Sequence, residues 1–150
     1  MIFRKAIRSE AKTIADFQIS MALETENLRL DPATVAKGVA AVFERPSLGT
    51  YYICLVDGRI VGSLLIQPEW SDWRNGTCWW IHSVYIEPEF RGRGLFSQFY
   101  AFIRARAEAD PTVRGLRLYV DHSNKNAQAA YERAGMNGNH YRMYEWMKTF

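Results

Sequence analysis

The sequence has little cysteine, little net charge and no long apolar run. Its two cysteines, Cys54 and Cys78, form no CxxC pair and have no histidine cluster near them, which argues against a disulfide scaffold and against a metal site. Each lies in an apolar stretch, so we expect buried free thiols in a reducing compartment. No stretch approaches the roughly 18 apolar residues of a membrane span, and the N-terminal residues lack the apolar core of a signal peptide. We therefore expect a cytoplasmic protein with no membrane partner.

The net charge is only +3 over 150 residues, milder than the dense basic patch of a nucleic-acid-binding domain. We therefore expect no nucleic-acid partner, although this charge suits a ligand that carries several phosphates. Hydrophobic residues make up 48% and aromatic residues 14%, as in a globular chain rather than a disordered one. A chain of this length forms one domain of ordinary size, so we expect a single domain over residues 1–150.

Hydrophobic periodicity predicts a mixed series of strands and helices without repeats or linkers. In chain order these are a strand over 2–8, a helix that follows a cap at Ser9-Glu10 and runs through Leu23, a helix opened by Asp31 and Pro32, strands over 50–56, 59–67 and 77–86, a helix over 94–109, a strand over 116–120, a helix over 124–134 and a last strand over 140–147. Residues 24–30 break the first helix, and Asp57-Gly58 is a hairpin turn. Residues 68–76 are expected to form a loop that holds Trp70 and Trp73.

A phosphate site is predicted where the strand over 77–86 ends. Pro88 stops that strand because proline has no N–H for the ladder. A basic, glycine-rich turn follows, and after Gly94 apolar residues recur at helical spacing. A strand, turn and helix in this order point free backbone N–H groups and the positive end of a helix dipole at one spot, which can hold a phosphate. Arg91 and Arg93 can pair with phosphates there, although the same pattern alone is also typical of a plain surface turn.

A second stretch, residues 120–136, places three residues on one helix face. Asn124 is the expected N-cap, Ala127 lies one turn on and Tyr131 one further turn on. Alanine leaves room for a thin chain, and tyrosine puts a phenol beside whatever atom that chain carries. The alternative is that Tyr131 is a packing tyrosine with its hydroxyl in water.

Both stretches resemble acyl-CoA signatures of the GNAT N-acetyltransferase superfamily. The first signature is Gln/Arg-x-x-Gly-x-Gly/Ala after a strand; Arg91 and Gly94 match it, whereas Phe96 stands where the family usually has Gly or Ala. The second is Asn-x-x-Ala-x-x-x-Tyr-Glu-Lys/Arg-x-Gly-Phe, matched at Asn124, Ala127, Tyr131, Glu132, Arg133 and Gly135, with Met136 in place of Phe. The resemblance covers roughly residues 50–147. Its element order, β-α-α-β-β-β-α-β-α-β, implies the GNAT fold: α+β, with a mixed, mostly antiparallel central sheet flanked by helices.

The resemblance implies an acetyltransferase that uses acetyl-CoA as cosubstrate, without a metal. The acceptor it implies is a primary amine of a small molecule or a protein, and it leaves a homodimer open. The implied cofactor-binding residues are Val84, Tyr85, Ile86, Arg91, Gly92, Arg93, Gly94, Leu95, Phe96, Ser97, Asn124, Ala127 and Tyr131.

Three residues are candidates for the chemistry of acetyl transfer. By resemblance, Tyr131 is the acid that protonates the leaving thiolate, and a backbone N–H near Val84 or Tyr85, on a bulged strand, stabilises the developing oxyanion. Many family members carry a glutamate base on this strand, but residues 77–86 contain none. His82 has a suitable pKa, although it can equally be a core histidine, and alternation places it on the same face as Ile86. Glu26 and Glu24 can bind a cationic amine or take its proton, or they can be solvated loop residues. The tryptophans at 70, 73, 79 and 80 can line an aromatic acceptor pocket, or they can be core residues.

Two functions of other classes compete with this reading. One is a non-catalytic acyl-CoA-binding module, a sensor or scaffold, which the missing strand glutamate keeps open. The other is a nucleic-acid-binding domain, which the scattered basic residues disfavour. The dinucleotide-binding fingerprint is rejected because position 97 is serine and not the third glycine.

Overall fold

The computed structural model describes residues 1–148. The chain forms two compact units, Met1–Leu118 and Tyr119–Phe150, so the expectation of one domain stays a prediction. The larger unit contains β1 (Ile2–Lys5), α1 (Ala11–Glu26), α2 (Pro32–Glu44), β2 (Thr50–Val56), β3 (Arg59–Ser71), β4 (Gly76–Ile86), α3 (Leu95–Ala109) and β5 (Val113–Arg117). The smaller unit contains α4 (Lys125–Arg133).

The larger unit is built on one sheet with the strand order β1-β2-β3-β4-β5. The first three pairings are antiparallel, and β4 and β5 are parallel. Asp57 and Gly58, with φ of 50° and 80°, form the tight turn between β2 and β3, as the sequence predicts. The parallel pair needs a crossover connection, which α3 provides. The mixed, mostly antiparallel sheet with flanking helices is therefore confirmed.

The two faces of the sheet pack against different helices. On one face, Tyr51, Ile53 and Leu65 pack with residues of α1 and α2, among them Ile14 and Val39. On the other face, aromatic side chains of the sheet meet α3: Phe3 stacks on Phe99 at 5.1 Å between ring centroids, and Tyr52 meets Phe102 at 6.0 Å. Alternation along each strand thus separates a core towards α1 and α2 from a core towards α3.

Local signals set several helix ends as expected. Asp31 caps α2 by accepting from the Thr34 N–H at 2.8 Å, with Pro32 at the first helical position. Asn124 caps α4 by accepting from the Ala127 N–H at 3.0 Å. Gly135 follows α4 with φ of 84°, the left-handed conformation that favours glycine.

Predicted loops and breaks turn out shorter than expected. The break over residues 24–30 is wrong at its start, because α1 continues through Glu26 and ends at Asn27, whose φ is 51°. The loop over 68–76 is also wrong: β3 continues to Ser71, and a single 3-10 turn over Asp72–Arg74 leads into β4. Proline is tolerated in this extension because β2 pairs with β3 only as far as Ile66, so Pro68 lies where β3 has no β2 neighbour.

Strand predictions towards the C-terminus are displaced or wrong. The strand expected over 116–120 is β5, which begins at Val113 because it pairs alongside residues Thr77 to Trp80 of β4. The last strand, over 140–147, is wrong: residues 137–148 contain no helix or strand. Tyr141, Tyr144 and Trp146 are exposed there. Alternating aromatic residues form a strand only when a partner completes the ladder, which a sequence pattern cannot supply.

Candidate active site

The central feature of the larger unit is the end of β4, where the strand leaves its parallel neighbour. β4 pairs with β5 only from Thr77 to Trp80, whereas it stays paired with β3 as far as Ile86. Between residues 81 and 86 the described part of the chain therefore has no strand pairing on the β5 side of β4. Apart from the Ile86 carbonyl, which accepts from Arg91, the backbone N–H and C=O groups on that side are available to an extended ligand, as at the edge of a sheet.

A bulge lies at the same place. His82 pairs with Leu65 and Tyr85 pairs with Ser63, so Ser83 and Val84 together face one residue of β3. Ser83 has φ of 52°, a left-handed conformation that is uncommon for a residue other than glycine. The resemblance implied a bulge near Val84 or Tyr85, and the structure has it at Ser83 and Val84.

The bulge changes which side chains share a face. Leu65 and Ser63 are two apart on β3, so their partners His82 and Tyr85 both face α1. Ile86 pairs with Gly62, which lies on the α3 side. The expectation that His82 and Ile86 share a face is therefore wrong, because strict alternation fails where an extra residue is inserted.

The turn after β4 has the geometry of an anion site. Gly92 and Gly94 have φ of 72° and 73°, and a Cβ built on either would meet no atom within 4 Å. α3 begins directly after Gly94, and the first amide bonded into the helix is that of Gln98, which donates to the Gly94 carbonyl at 3.2 Å. The amides of residues 95–97 therefore lie at the positive end of the helix, beside open space.

The two arginines of the turn are placed differently. Arg91 donates from Nε to the Ile86 carbonyl at 2.6 Å and pairs with Glu24 at 2.7 Å, and its guanidinium lies 5.3 Å from the centre of the Tyr85 ring. Arg93 lies over the Phe90 ring at 5.8 Å and has no carboxylate partner among residues 1–148. Of the two, Arg93 is the cation that remains available for a phosphate.

Glu24, at the end of α1, connects that helix to β4. Its second oxygen accepts from the Tyr85 hydroxyl at 3.0 Å, and the ring of Phe17 packs 5.0 Å from that of Tyr85. Burial, and then the Glu24 carboxylate, raise the pKa of Tyr85. Glu26 is two residues further on, about 200° around the helix, and no described contact joins it to β4. The structure thus brings Glu24, and not Glu26, to the candidate site.

His82 lies beside Trp80 on the α1 side of β4. Its ring stacks on that of Trp80, with centroids 5.9 Å apart and planes at 18°. Burial lowers the pKa of His82. The Trp80 indole donates to Glu69, whose other oxygen pairs with Arg117 at 2.9 Å. Sequence reasoning missed this Glu69–Arg117 pair, since β3 and β5 are far apart in the chain.

The four tryptophans considered for an acceptor pocket, at 70, 73, 79 and 80, do not form one pocket. Trp79 and Trp80 are adjacent on β4 and therefore face opposite sides of the sheet. Trp70 and Trp73 are exposed, at 64% and 89% of their surface. Of the four, only Trp80 lies beside His82.

In the smaller unit, Tyr131 is the candidate for the acid of the reaction. It is half-buried on α4, and burial raises the pKa of its phenol. Asn124 and Ala127 are joined by the cap hydrogen bond at the start of the same helix. The phenol therefore stays protonated at neutral pH, as a proton donor must.

The family model for the Acetyltransferase (GNAT) family matches residues 14–136, so the chain belongs to that family. The crystal structure of a possible acetyltransferase from Clostridium difficile 630 is 37% identical, with a TM-score of 0.91, and the match covers 99% of this chain and 98% of that one.

Two further relatives are more distant. An uncharacterized N-acetyltransferase from Methanocaldococcus jannaschii is 29% identical over 90 residues, 57% of this chain and 38% of that protein, so the chain matches well under half of this relative's length. A predicted acetyltransferase from Clostridium acetobutylicum, solved with acetyl-CoA, has the same fold at 15% identity, with a TM-score of 0.74 over 99% of this chain and 95% of that one.

None of the described helices has the length and apolar character needed to cross a membrane. Within residues 1–148, no three His, Cys, Asp or Glu side chains come together as a metal site.

Proposed function

We propose that this protein is an N-acetyltransferase that transfers the acetyl group of acetyl-CoA to a primary amine. The observation that carries the proposal is the end of β4: a strand freed from β5, bulged at Ser83, and followed by a glycine turn and the start of α3. Membership of the acetyltransferase family supports the acyl transfer. The alternative of a non-catalytic acyl-CoA-binding module has no comparable support.

The residues at this site fit an acyl-CoA. The open space over Gly92 and Gly94 and the amides of residues 95–97 suit a pyrophosphate, and Arg93 adds a charge without a competing carboxylate among the described residues. The free side of β4 over residues 81–86 suits the amide-bearing pantetheine arm, which can pair as an added strand does. Acetyl-CoA would supply an activated acyl group as a thioester.

The amine side is assigned to the α1 face of β4. Tyr85 and Trp80 give this face aromatic surface, and Glu24 and Glu69 give it carboxylates on either side of the bulge. Each carboxylate is already paired with an arginine, Glu24 with Arg91 at 2.7 Å and Glu69 with Arg117 at 2.9 Å. A cationic amine would share the carboxylates with these arginines. An alkyl amine has a pKa of about 10 and arrives as its ammonium ion, so it must lose a proton before it can attack. His82 faces the same side, and its lowered pKa keeps it neutral and able to accept that proton.

The remaining steps need an oxyanion donor and an acid. The amine nitrogen bonds to the acyl carbon as the carbon–sulfur bond breaks, and the carbonyl oxygen gains negative charge in between. A backbone N–H at Val84 or Tyr85, next to the bulge, is the proposed donor to that oxygen. Tyr131 is proposed to give its phenolic proton to the leaving thiolate. The bonded nitrogen then loses its second surplus proton, which restores the Tyr131 phenol, so that the products are a neutral amide and a thiol.

Titration calorimetry with CoA tests the cofactor half of this proposal. Gly94→Glu places a side chain and a negative charge in the anion site, and binding should be lost. Gly94→Ala is the matched control, because it suffers the same strain at positive φ without the charge, and it should bind CoA more weakly than the wild type but measurably. If Gly94→Glu binds CoA as tightly as the wild type, the cofactor lies elsewhere.

A further inference from the structure

A cavity of about 520 Å³ lies on the face of the sheet opposite His82 and Tyr85. Its lining includes Lys5, Tyr52, Ile66 and Trp79 from the sheet, Arg106 from the last turn of α3, and Asp110 directly after that helix. The proposed anion site is at the other end of α3, a helix on the order of 20 Å long. This cavity is therefore separate from the site proposed for acetyl transfer.

The strand register brings two cations to one aromatic ring. Lys5 pairs with Tyr52 across β1 and β2, so the two side chains share a face and lie next to each other. Arg106 lies over the same ring, with its guanidinium carbon 5.7 Å from the Tyr52 centroid, and it is 5.6 Å from the Phe102 centroid. Lys5 and Arg106 thus flank Tyr52 at the cavity wall.

The cavity carries more positive than negative charge. Neither Lys5 nor Arg106 pairs with a carboxylate within residues 1–148, in contrast to Arg104, which pairs with Glu108 at 2.8 Å. Asp110, the acidic lining residue, accepts from the N–H and the hydroxyl of Thr112 at 2.9 and 2.7 Å, and these bonds lower its pKa. The charge of Asp110 and the partial negative charge at the end of α3 together amount to less than two full cations.

The walls suit a flat apolar body. Tyr52, Ile66 and Trp79 contribute ring and aliphatic surface from three adjacent strands. The volume is within the range of small-molecule sites, which combine apolar walls with a few polar groups that fix orientation. We propose that this cavity binds a small aromatic carboxylate, with its acid group between Lys5 and Arg106 and its ring against Tyr52 and Trp79. The site does not depend on the acetyl-transfer proposal.

Calorimetry with 2-naphthoate tests this assignment, with 2-naphthamide as a neutral ligand of nearly the same shape. The acid should bind saturably, and the amide about tenfold more weakly or worse, because only the acid pairs with the cations. Arg106→Gln and Lys5→Gln should each weaken binding of the acid several-fold. Arg104→Gln, the same charge change on the same helix outside the cavity, should leave it unchanged. Saturating CoA should also leave it unchanged.

Several outcomes would overturn the proposal: no saturable binding of the acid up to its solubility limit, equal binding of acid and amide, or displacement by CoA. Arg106 also packs on two rings, so Arg106→Gln can lower the stability of the fold. A lower melting temperature of this variant would show such a loss of stability. Lys5 is exposed on β1, so Lys5→Gln should leave the fold intact and then tests the role of the cations in binding. Unchanged binding in a folded Lys5→Gln variant would contradict the proposed role of the two cations.

Discussion

At the scale of single residues, Glu24 joins the two sides of the candidate site in the larger unit. One of its oxygens binds Tyr85 on β4, and the other binds Arg91 at the start of the glycine turn. The sequence marks Glu24 as a loop residue near the acceptor, but its partners are more than sixty positions away, and no local pattern encodes such pairs. The cap residues Asp31 and Asn124 could be predicted, because each acts on an amide three residues on.

His82 gives a prediction about pH. If His82 is the base, kcat/KM should fall as the pH drops and His82 becomes protonated. Because burial lowers its pKa, this acidic limb should lie below the ordinary value of about 6.5. His82→Gln should lower the rate and flatten the limb, as measured by kcat/KM profiles over the acid range.

Glu26→Gln is the comparison for that experiment. A limb that survives in His82→Gln but disappears in Glu26→Gln would assign the base to Glu26 instead. If neither change alters the profile, neither residue is the base.

Tyr131 gives a prediction about rate. Tyr131→Phe keeps the ring and removes only the proton donor, so kcat should fall on the order of 100-fold while CoA affinity is nearly kept. Single-turnover acetyl transfer, together with calorimetry, separates these two quantities. An unchanged single-turnover rate would remove Tyr131 from the mechanism.

At the scale of elements, the strand–turn–helix after β4 could be predicted and the bulge within it could not. Pro88, Gly92 and Gly94 act on their own backbone, so their effect can be read locally. The bulge at Ser83 results from pairing with β3 on one side and the loss of β5 on the other. Strict alternation therefore assigned the wrong face to Ile86.

The junction of β1 and α1 gives a prediction about stability. Arg4 donates to both Glu10 oxygens, at 3.0 and 2.6 Å, and Glu10 also accepts from the Ile7 N–H at 2.8 Å. Glu10→Gln should lower the free energy of unfolding by about 1 kcal/mol, a value reduced by solvent around Arg4. Urea unfolding measures this, with Glu44→Gln as the control, because Glu44 pairs with Arg8 in a more exposed salt bridge and should matter less.

The stability that the Arg4–Glu10 pair contributes should depend on pH. The Arg4 guanidinium lowers the pKa of Glu10 below that of the unfolded chain. Its contribution is therefore present above about pH 4.5 and is lost as the pH falls through the lower folded value. A Glu10→Gln variant whose stability changes with acid pH as steeply as that of the wild type would contradict this assignment.

At the scale of the whole molecule, the order of the elements predicts the fold, whereas the extent of the sheet depends on which segments find a partner strand. The five-stranded sheet and its helices agree with the order read from the sequence, and the family match confirms the class. The prediction of a strand over residues 140–147 was wrong, because a segment forms a strand only when a partner strand pairs with it. The acceptor is likewise set by the shape of a pocket assembled from distant segments, so the sequence leaves it open.

The central claim is that this chain transfers acetyl groups to amines. The most direct measurement is steady-state thiol release from acetyl-CoA across a panel of amines, including polyamines, amino acids, lysine peptides and peptides with free N-termini, with mass spectrometry of the products. We predict that at least one amine raises thiol release above background hydrolysis, that its acetylated product appears in equal amount, and that Gly94→Glu abolishes both. Tight CoA binding with no acetylated product from any amine would contradict the claim and favour a non-catalytic acyl-CoA-binding module.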